Sequence, residues 1–130
     1  MDGVGTPVLT IRDYFVDEAG DGTLFSRQGN VIVGSEGCSR YFILGVLDVP
    51  NPESLAIEMA SLRHELMADP YFTWVPSMQT HQRKTALAFH AKDDSPEVRW
   101  RVFSLLRRHD ELRWFAVVKD KRAVLDYVLL

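Results

Sequence analysis

The chain has 130 residues, 46% of them hydrophobic and 25% charged, with a formal net charge of −3. This length suits a single domain over residues 1–130 with its own core, and the composition excludes a chain dominated by disorder. No apolar run approaches the roughly 20 residues of a membrane helix, and the N-terminus lacks the basic start and apolar stretch of a signal peptide. Cys38 is the only cysteine, so an intrachain disulfide is impossible and a cytoplasmic location is expected.

The first part of the chain predicts three strands. Residues 11–17 (IRDYFVD) are rich in β-branched and aromatic side chains, which favour a strand. Residues 30–33 (NVIV) lie between glycines and predict a second strand. Residues 41–49 (YFILGVLDV) are almost continuously apolar, which is typical of a strand covered on both faces. We therefore expect this third strand at the centre of a sheet.

A helix and a long loop are expected next. Asn51, Pro52 and Glu53 have the residue types of a helix N-terminus. The predicted helix runs to about Ala68, and one apolar stripe along it should face a core. That stripe consists of Leu55, Met59, Leu62 and Leu66. Residues 71–85 have no clear period and contain a proline, so they predict a loop.

The last third predicts strand, helix and strand, followed by the start of another helix. Residues 86–91 (ALAFHA) predict a short strand, and Asp94 and Glu97 have the spacing of a capping box at the start of a helix. Residues 113–120 (RWFAVVKD) predict the final strand. The whole order is strand, strand, strand, helix, strand, helix, strand. This α/β order is that of a ribonuclease H-like mixed sheet, with an antiparallel meander and then a parallel strand–helix–strand unit.

Three motifs resemble one known family. They are YFVDEAGDG (residues 14–22), FHAKDDSPEVRWRVFSLL (residues 89–106) and VVKDK (residues 117–121). The first is similar to the opening signature of the prokaryotic family called domain of unknown function 3800, a hydrophobic strand that ends in Asp-Glu-Ser/Ala-Gly. The other two are similar to that family's strand, acidic turn and Arg-bearing helix, and to a later hydrophobic strand. Together they span roughly residues 12–122.

The resemblance implies a ribonuclease H-like fold and metal-dependent nuclease chemistry. By position, Asp17 corresponds to the first-strand carboxylate of such enzymes, and His90 or Asp93 lies where a second acidic ligand follows the fourth strand. The family usually supplies another carboxylate from a C-terminal helix. Asp126 is the only acidic residue of that region here, so the sequence departs from the family where the last ligand is expected.

The carboxylates of the first motif are the main candidate site. Phosphodiester cleavage by two divalent ions uses carboxylate ligands, and Mg²⁺ or Mn²⁺ prefers oxygen donors. Strand alternation puts Asp17 and Glu18 on opposite faces, while glycines after the strand would let the chain bend and bring Asp21 back towards Asp17. Asp17 and Asp21 are therefore candidate metal ligands, and Asp93 of the second motif is a third. Glu18 and His90 join them as candidate catalytic residues, and the alternative for His90 is a hydrogen-bonded structural histidine. The alternative for Asp17, Glu18 and Asp21 is a polar turn at a strand end.

Basic residues give a second candidate surface. Residues 1–60 hold 3 Lys/Arg against 9 Asp/Glu, whereas residues 61–130 hold 12 against 9. Lys119 and Lys121 lie at a strand's carboxyl end, where α/β sheets often bind ligands, and Lys92 lies beside His90 and Asp93. These three lysines are the candidates for contacting substrate phosphate. Ordinary solvated surface is the alternative for the whole basic half.

Two functions from different classes follow. One is a divalent-metal-dependent nuclease or related phosphoryl-transfer enzyme acting on nucleic acid. The other is a non-catalytic, shortened ribonuclease H-like module that associates with itself, as a homodimer, or with a protein partner. The sequence motivates the second because a sheet without a terminal helix leaves a face or an edge bare. Neither function involves a membrane.

Overall fold

The computed structural model describes residues 11–130, which form two compact units. One contains the residues up to Val49 together with Arg113–Leu130, and the other is Pro50–Leu112. The expectation about a signal peptide concerns mainly residues 1–10, which lie outside the described residues. Over residues 11–130, no helix has the length and apolar character needed to cross a membrane.

The first unit is built on a three-stranded antiparallel sheet. Its strands are β1 (Asp13–Ala19), β2 (Tyr41–Val49) and β3 (Arg113–Asp120), in the order β1-β2-β3. The almost continuous apolar run of β2 lies in the centre of the sheet, as the sequence predicts. The expected cover on both faces is wrong, because Leu44 of β2 and its neighbours Val16 and Val117 are exposed. Both neighbours are antiparallel to β2, so β1 and β3 run in the same direction.

Two of the predicted strands are wrong, and so is the parallel strand–helix–strand unit that one of them was expected to form. Residues 30–33 form only one isolated bridge, from Val31 to Phe25, because Gly29 and Gly34 on either side have φ values of 81° and 92° and turn the chain. Residues 86–91 form turns, in which the Leu87 N–H bonds the Lys84 carbonyl at 2.8 Å. The observed order is therefore strand, strand, helix, helix, strand, helix, and the last strand pairs antiparallel with β2.

A helix, α3 (Lys121–Val128), follows the last strand, so the expectation of a sheet without a terminal helix is wrong. The helix begins directly after β3, and the Asp120 carboxylate caps it by accepting the Arg122 N–H at 3.0 Å. The same carboxylate pairs with Arg40 at 2.8 Å. Together, the cap and the ion pair lower the pKa of Asp120, with the Arg40 hydrogen bond as the largest cause.

The second unit packs two helices and a turn-rich connection around one core. Its helices are α1 (Pro52–Ala68) and α2 (Pro96–Leu106), joined by a connection with three short 3₁₀ turns. Asn51 caps α1 as predicted, accepting the Ser54 N–H at 3.0 Å. The predicted Asp94 cap of α2 is wrong, because Ser95 occupies the cap and accepts the Val98 N–H. The core consists of Leu62, Leu66, Phe72, Met78, Val98, Val102 and Leu105.

Gly20, directly after β1, allows a destabilisation test with a matched control. Its φ is +82°, and an added Cβ would lie 2.4 Å from the Tyr41 carbonyl oxygen. We expect Gly20→Ala to lower the free energy of unfolding by roughly 2 kcal/mol or more. Gly29 has nearly the same φ, +81°, but an open Cβ position, so Gly29→Ala should cost about 1 kcal/mol from backbone strain alone. Urea unfolding measures both, and equal losses would contradict the steric argument.

Candidate functional site

Asp17 and Glu18 lie on β1 and point to opposite faces of the sheet, as the alternation predicts. Asp17 pairs across the sheet with Gly45, and Glu18 pairs with Leu44. Both carboxylates are exposed. One oxygen of Asp17, Oδ1, accepts the Glu18 backbone N–H at 2.9 Å, which leaves Oδ2 for a ligand.

Asp21 serves the turn after β1. Its Oδ1 accepts both the backbone N–H of Thr23, at 2.7 Å, and the Thr23 hydroxyl. These two hydrogen bonds, the hydroxyl first, lower the pKa of Asp21. The carboxylate therefore stabilises a local turn, which is the alternative that the sequence left open for this residue. The role expected for Asp21 as a metal ligand has no contact to support it.

The two faces of the sheet carry different side chains. The Asp17 face carries Phe15, Asp17, Gly45, Leu47, Trp114 and Ala116, and the Val16 face carries Tyr14, Val16, Glu18, Leu44, Val46, Phe115, Val117 and Lys119. On the Asp17 face, an almost wholly apolar hollow of about 240 Å³ is lined in part by Phe15, Leu47 and Trp114. On the Val16 face, a band of apolar side chains lies between charged ends.

His90 and Asp93 form a small cluster in the second unit. The Nδ1 atom of His90 is 3.2 Å from Asp93 Oδ2, and Lys84 Nζ is 3.5 Å from Asp93 Oδ1. Lys92 is exposed. His90 and Asp93, both named as candidates from the sequence, belong to the second unit, whereas Asp17 belongs to the first.

Asp94 has a structural role. It is buried, and its Oδ1 accepts the Thr85 hydroxyl at 2.7 Å while its Oδ2 accepts the His90 backbone N–H at 3.0 Å. Thr85 is also fully buried. This pair holds the turns over residues 86–94 and orients the chain at His90.

The two candidate phosphate lysines at the carboxyl end of β3, Lys119 in the strand and Lys121 at the start of α3, differ in exposure. Lys119 is exposed on β3, as expected. Lys121 is only 2% exposed, which contradicts its predicted contact with phosphate. Its Nζ donates to the carbonyls of Asp21 at 2.8 Å and Thr23 at 3.1 Å, and lies 3.2 Å from Cys38 Sγ. All three donors of this ammonium are therefore used inside the protein.

One charged cluster was missed by the sequence prediction. His109 lies between two carboxylates, with Nδ1 2.9 Å from Glu111 and Nε2 3.1 Å from Glu58. The hydrogen bond to Glu111, followed by that to Glu58, raises the pKa of His109. The Glu111 contact is visible in the sequence as His-Asp-Glu, but the Glu58 contact joins residues 51 positions apart and has no local signal.

Among residues 11–130, no three His, Cys, Asp or Glu side chains come close enough together to form a candidate metal group. Asp17 is thus the one predicted metal ligand of the first unit that is exposed and not already committed to a turn. A scan of protein-family models, a search of curated proteins and a search of solved structures each found no match to this chain. The resemblance to the family named above stays a prediction.

Proposed function

We propose that this chain is a non-catalytic interaction module that pairs with a second copy of itself through the Val16 face of the sheet. The observation that carries the proposal is the exposure of that face. Val16, Phe115 and Val117 are each more than half exposed, although they belong to neighbouring rows of the same sheet. Contiguous exposed apolar surface of this kind is characteristic of interaction sites.

The charges at the sides of the band favour a second copy as the partner. Glu18 lies on the β1 side and Lys119 on the β3 side of the same face. A two-fold axis parallel to the strands would lay β1 of one copy over β3 of the other, since both strands run in the same direction. Glu18 would then lie one row from Lys119 of the second copy, which is within reach of these long side chains. The face is therefore complementary to itself in charge and in apolar character.

Charge swaps test this arrangement directly. Glu18→Lys and Lys119→Glu alone should each weaken the dimer, because each places like charges opposite each other twice. Mixing the two variants should restore association, since every swapped charge then faces its opposite. The double variant should restore it within a single chain. We expect a several-fold change in the dimer dissociation constant at each step, measured by sedimentation velocity at low salt.

Substitutions on the two faces provide the control. Phe115→Glu buries a charge in the proposed interface and should weaken association at least tenfold. Trp114→Glu places the same charge on the Asp17 face, one residue away, and should leave association unchanged. Equal effects of the two variants, or no restoration in the mixture, would overturn the proposed face.

A second proposal is the metal-dependent nuclease or related phosphoryl-transfer enzyme, with the ribonuclease H-like relationship that it implies. What supports it is the exposed Asp17 on a rigid strand, because Mg²⁺ or Mn²⁺ can bind through one carboxylate, waters and a substrate phosphate. Of the three lysines predicted to contact phosphate, Lys92 and Lys119 are exposed and therefore accessible to nucleic acid. Calorimetric titration of Mn²⁺ should show saturable binding that Asp17→Asn removes and Asp13→Asn keeps. Binding unchanged in Asp17→Asn would end this proposal for Asp17.

A further inference from the structure

His109 is held between two carboxylates that come from different parts of the second unit. Its Nδ1 atom is 2.9 Å from Glu111 Oε1, and its Nε2 atom is 3.1 Å from Glu58 Oε2. The His109 side chain is only 18% exposed. Glu111 is two residues away, whereas Glu58 belongs to α1 and lies 51 positions earlier in the chain. The contact with Glu58 therefore ties the segment after α2 to α1.

Both ring nitrogens of His109 face hydrogen-bond acceptors, and only the charged form of histidine can satisfy both. Neutral imidazole has one N–H donor and one lone pair, whereas imidazolium donates from both nitrogens. An ionised carboxylate accepts hydrogen bonds and donates none. The double contact with Glu58 and Glu111 therefore depends on the second proton of the ring, which agrees with the raised pKa of His109.

The other charges near the ring leave Glu58 with an alternative partner. Among residues 11–130, the observed ion pairs give His109 these two carboxylates and no other. Glu58 and Arg108 line the same groove along α1 and α2, and Arg108 makes none of the observed ion pairs. The charged side chains that flank His109 in the sequence are exposed, namely Arg107, Arg108 and Asp110. Glu58 can thus turn to the Arg108 guanidinium when the ring loses its charge.

We propose that His109 is a pH-dependent clamp, which holds the turn before β3 to α1 when the ring is protonated and releases it when the ring is neutral. The turn covers residues 109–112 and is closed by the Leu112 N–H, which donates to the His109 carbonyl at 3.1 Å. The neutral ring has one N–H left, and Glu111 in the same turn retains it, so Glu58 is the partner that is lost. The clamp lies in the second unit and does not depend on the proposed dimer, which uses the sheet of the first.

The direction of the pH effect follows from the raised pKa of His109, whose largest cause is the hydrogen bond to Glu111, followed by that to Glu58. Histidine in an unfolded chain has a pKa of about 6.5. Because the folded pKa is higher, the contribution of the clamp to stability is complete below about pH 6.5 and is lost as the pH rises through the folded pKa. The turn is therefore held in mildly acidic solution and released in alkaline solution.

NMR titration of the histidine ring signals measures the proton affinity of His109, and His109→Gln identifies its signals among those of the four histidines. We expect Glu58→Gln and Glu111→Gln each to lower this affinity at least about threefold, because each removes one charged acceptor. Glu53→Gln makes the same change at an exposed position of α1 and should alter the affinity less than about 1.5-fold. A proton affinity no higher than that of ordinary histidine, or one that neither Glu58→Gln nor Glu111→Gln lowers, would overturn the proposal.

Protection of the Leu112 amide against hydrogen exchange tests the release itself. After correction for the intrinsic pH dependence of exchange, this protection should fall at least about threefold between about pH 6 and about pH 8.5 in the unmodified chain. His109→Gln should give the lower protection at both pH values, and Glu58→Gln should lose most of the pH dependence. Protection that does not change with pH in the unmodified chain, or that changes equally in His109→Gln, would show that His109 is no clamp.

Discussion

Lys121→Met is expected to destabilise the first unit by about 2–5 kcal/mol. Lys121 is 2% exposed, and its ammonium donates to the carbonyls of Asp21 and Thr23. Methionine has a similar length but no donor, so both carbonyls would lose their partner in these part-buried hydrogen bonds. Each unsatisfied group costs about 1–3 kcal/mol. Urea unfolding gives the magnitude, and peptide-resolved hydrogen exchange gives the location.

The location of the loss is the sharper part of this prediction. Every atom that Lys121 Nζ contacts lies in the first unit, at Asp21, Thr23 and Cys38. Exchange should therefore rise around residues 20–40. Lys92→Met makes the same chemical change at an exposed position and should cost less than about 0.5 kcal/mol. Equal costs for the two variants would mean that the Lys121 contacts contribute nothing.

Leu66→Ala is expected to destabilise the second unit by about 2–5 kcal/mol. Leu66 is 2% exposed and belongs to the core between α1 and α2. Truncation removes buried apolar surface and leaves a cavity, because neighbouring side chains relax only partly. Urea unfolding followed by far-ultraviolet circular dichroism measures the loss, since both helices of this core contribute to the signal.

Ile57 supplies the control on the same helix. It is 69% exposed, so Ile57→Ala removes a branched aliphatic side chain without opening a cavity. The expected cost is below about 0.5 kcal/mol. A loss for Leu66→Ala as small as that for Ile57→Ala would contradict the assigned core.

The sequence predicted correctly those strands and helix ends that are determined by residues within a few positions of one another. The continuous apolar run of residues 41–49 is the central strand β2, and Asn51 with Pro52 begins α1 as expected. The bounds of residues 113–120 match β3. In each case, a run of side chains or a cap within a few positions decides the structure, so no distant contact is needed.

The two wrongly predicted strands are short segments whose structure depends on turns or on contacts with residues outside the segment. Residues 30–33 are too few to outweigh the left-handed turns at Gly29 and Gly34. Residues 86–91 are alanine-rich, and alanine favours strands weakly. The buried pair of Thr85 and Asp94 closes that segment into turns, and a capping-box pattern hides this role of Asp94 in the sequence.

In the candidate site, too, the sequence predicted the features that depend on one strand and missed those that depend on distant contacts. Alternation correctly placed Asp17 and Glu18 on opposite faces, since it depends only on the strand. The burial of Lys121 depends on contacts with residues 98 and 100 positions earlier, and a lysine at a strand end otherwise suggests surface. The apolar hollow on the Asp17 face requires the register with Gly45 and Trp114, which alternation within one strand does not give.

Sedimentation equilibrium of the unmodified chain at micromolar concentration tests the central proposal most directly. A chain of 14.9 kDa that pairs through the Val16 face should give twice that mass, and Phe115→Glu should return it to the monomer mass. A monomer mass for the unmodified chain over the whole micromolar range would contradict self-association through this face.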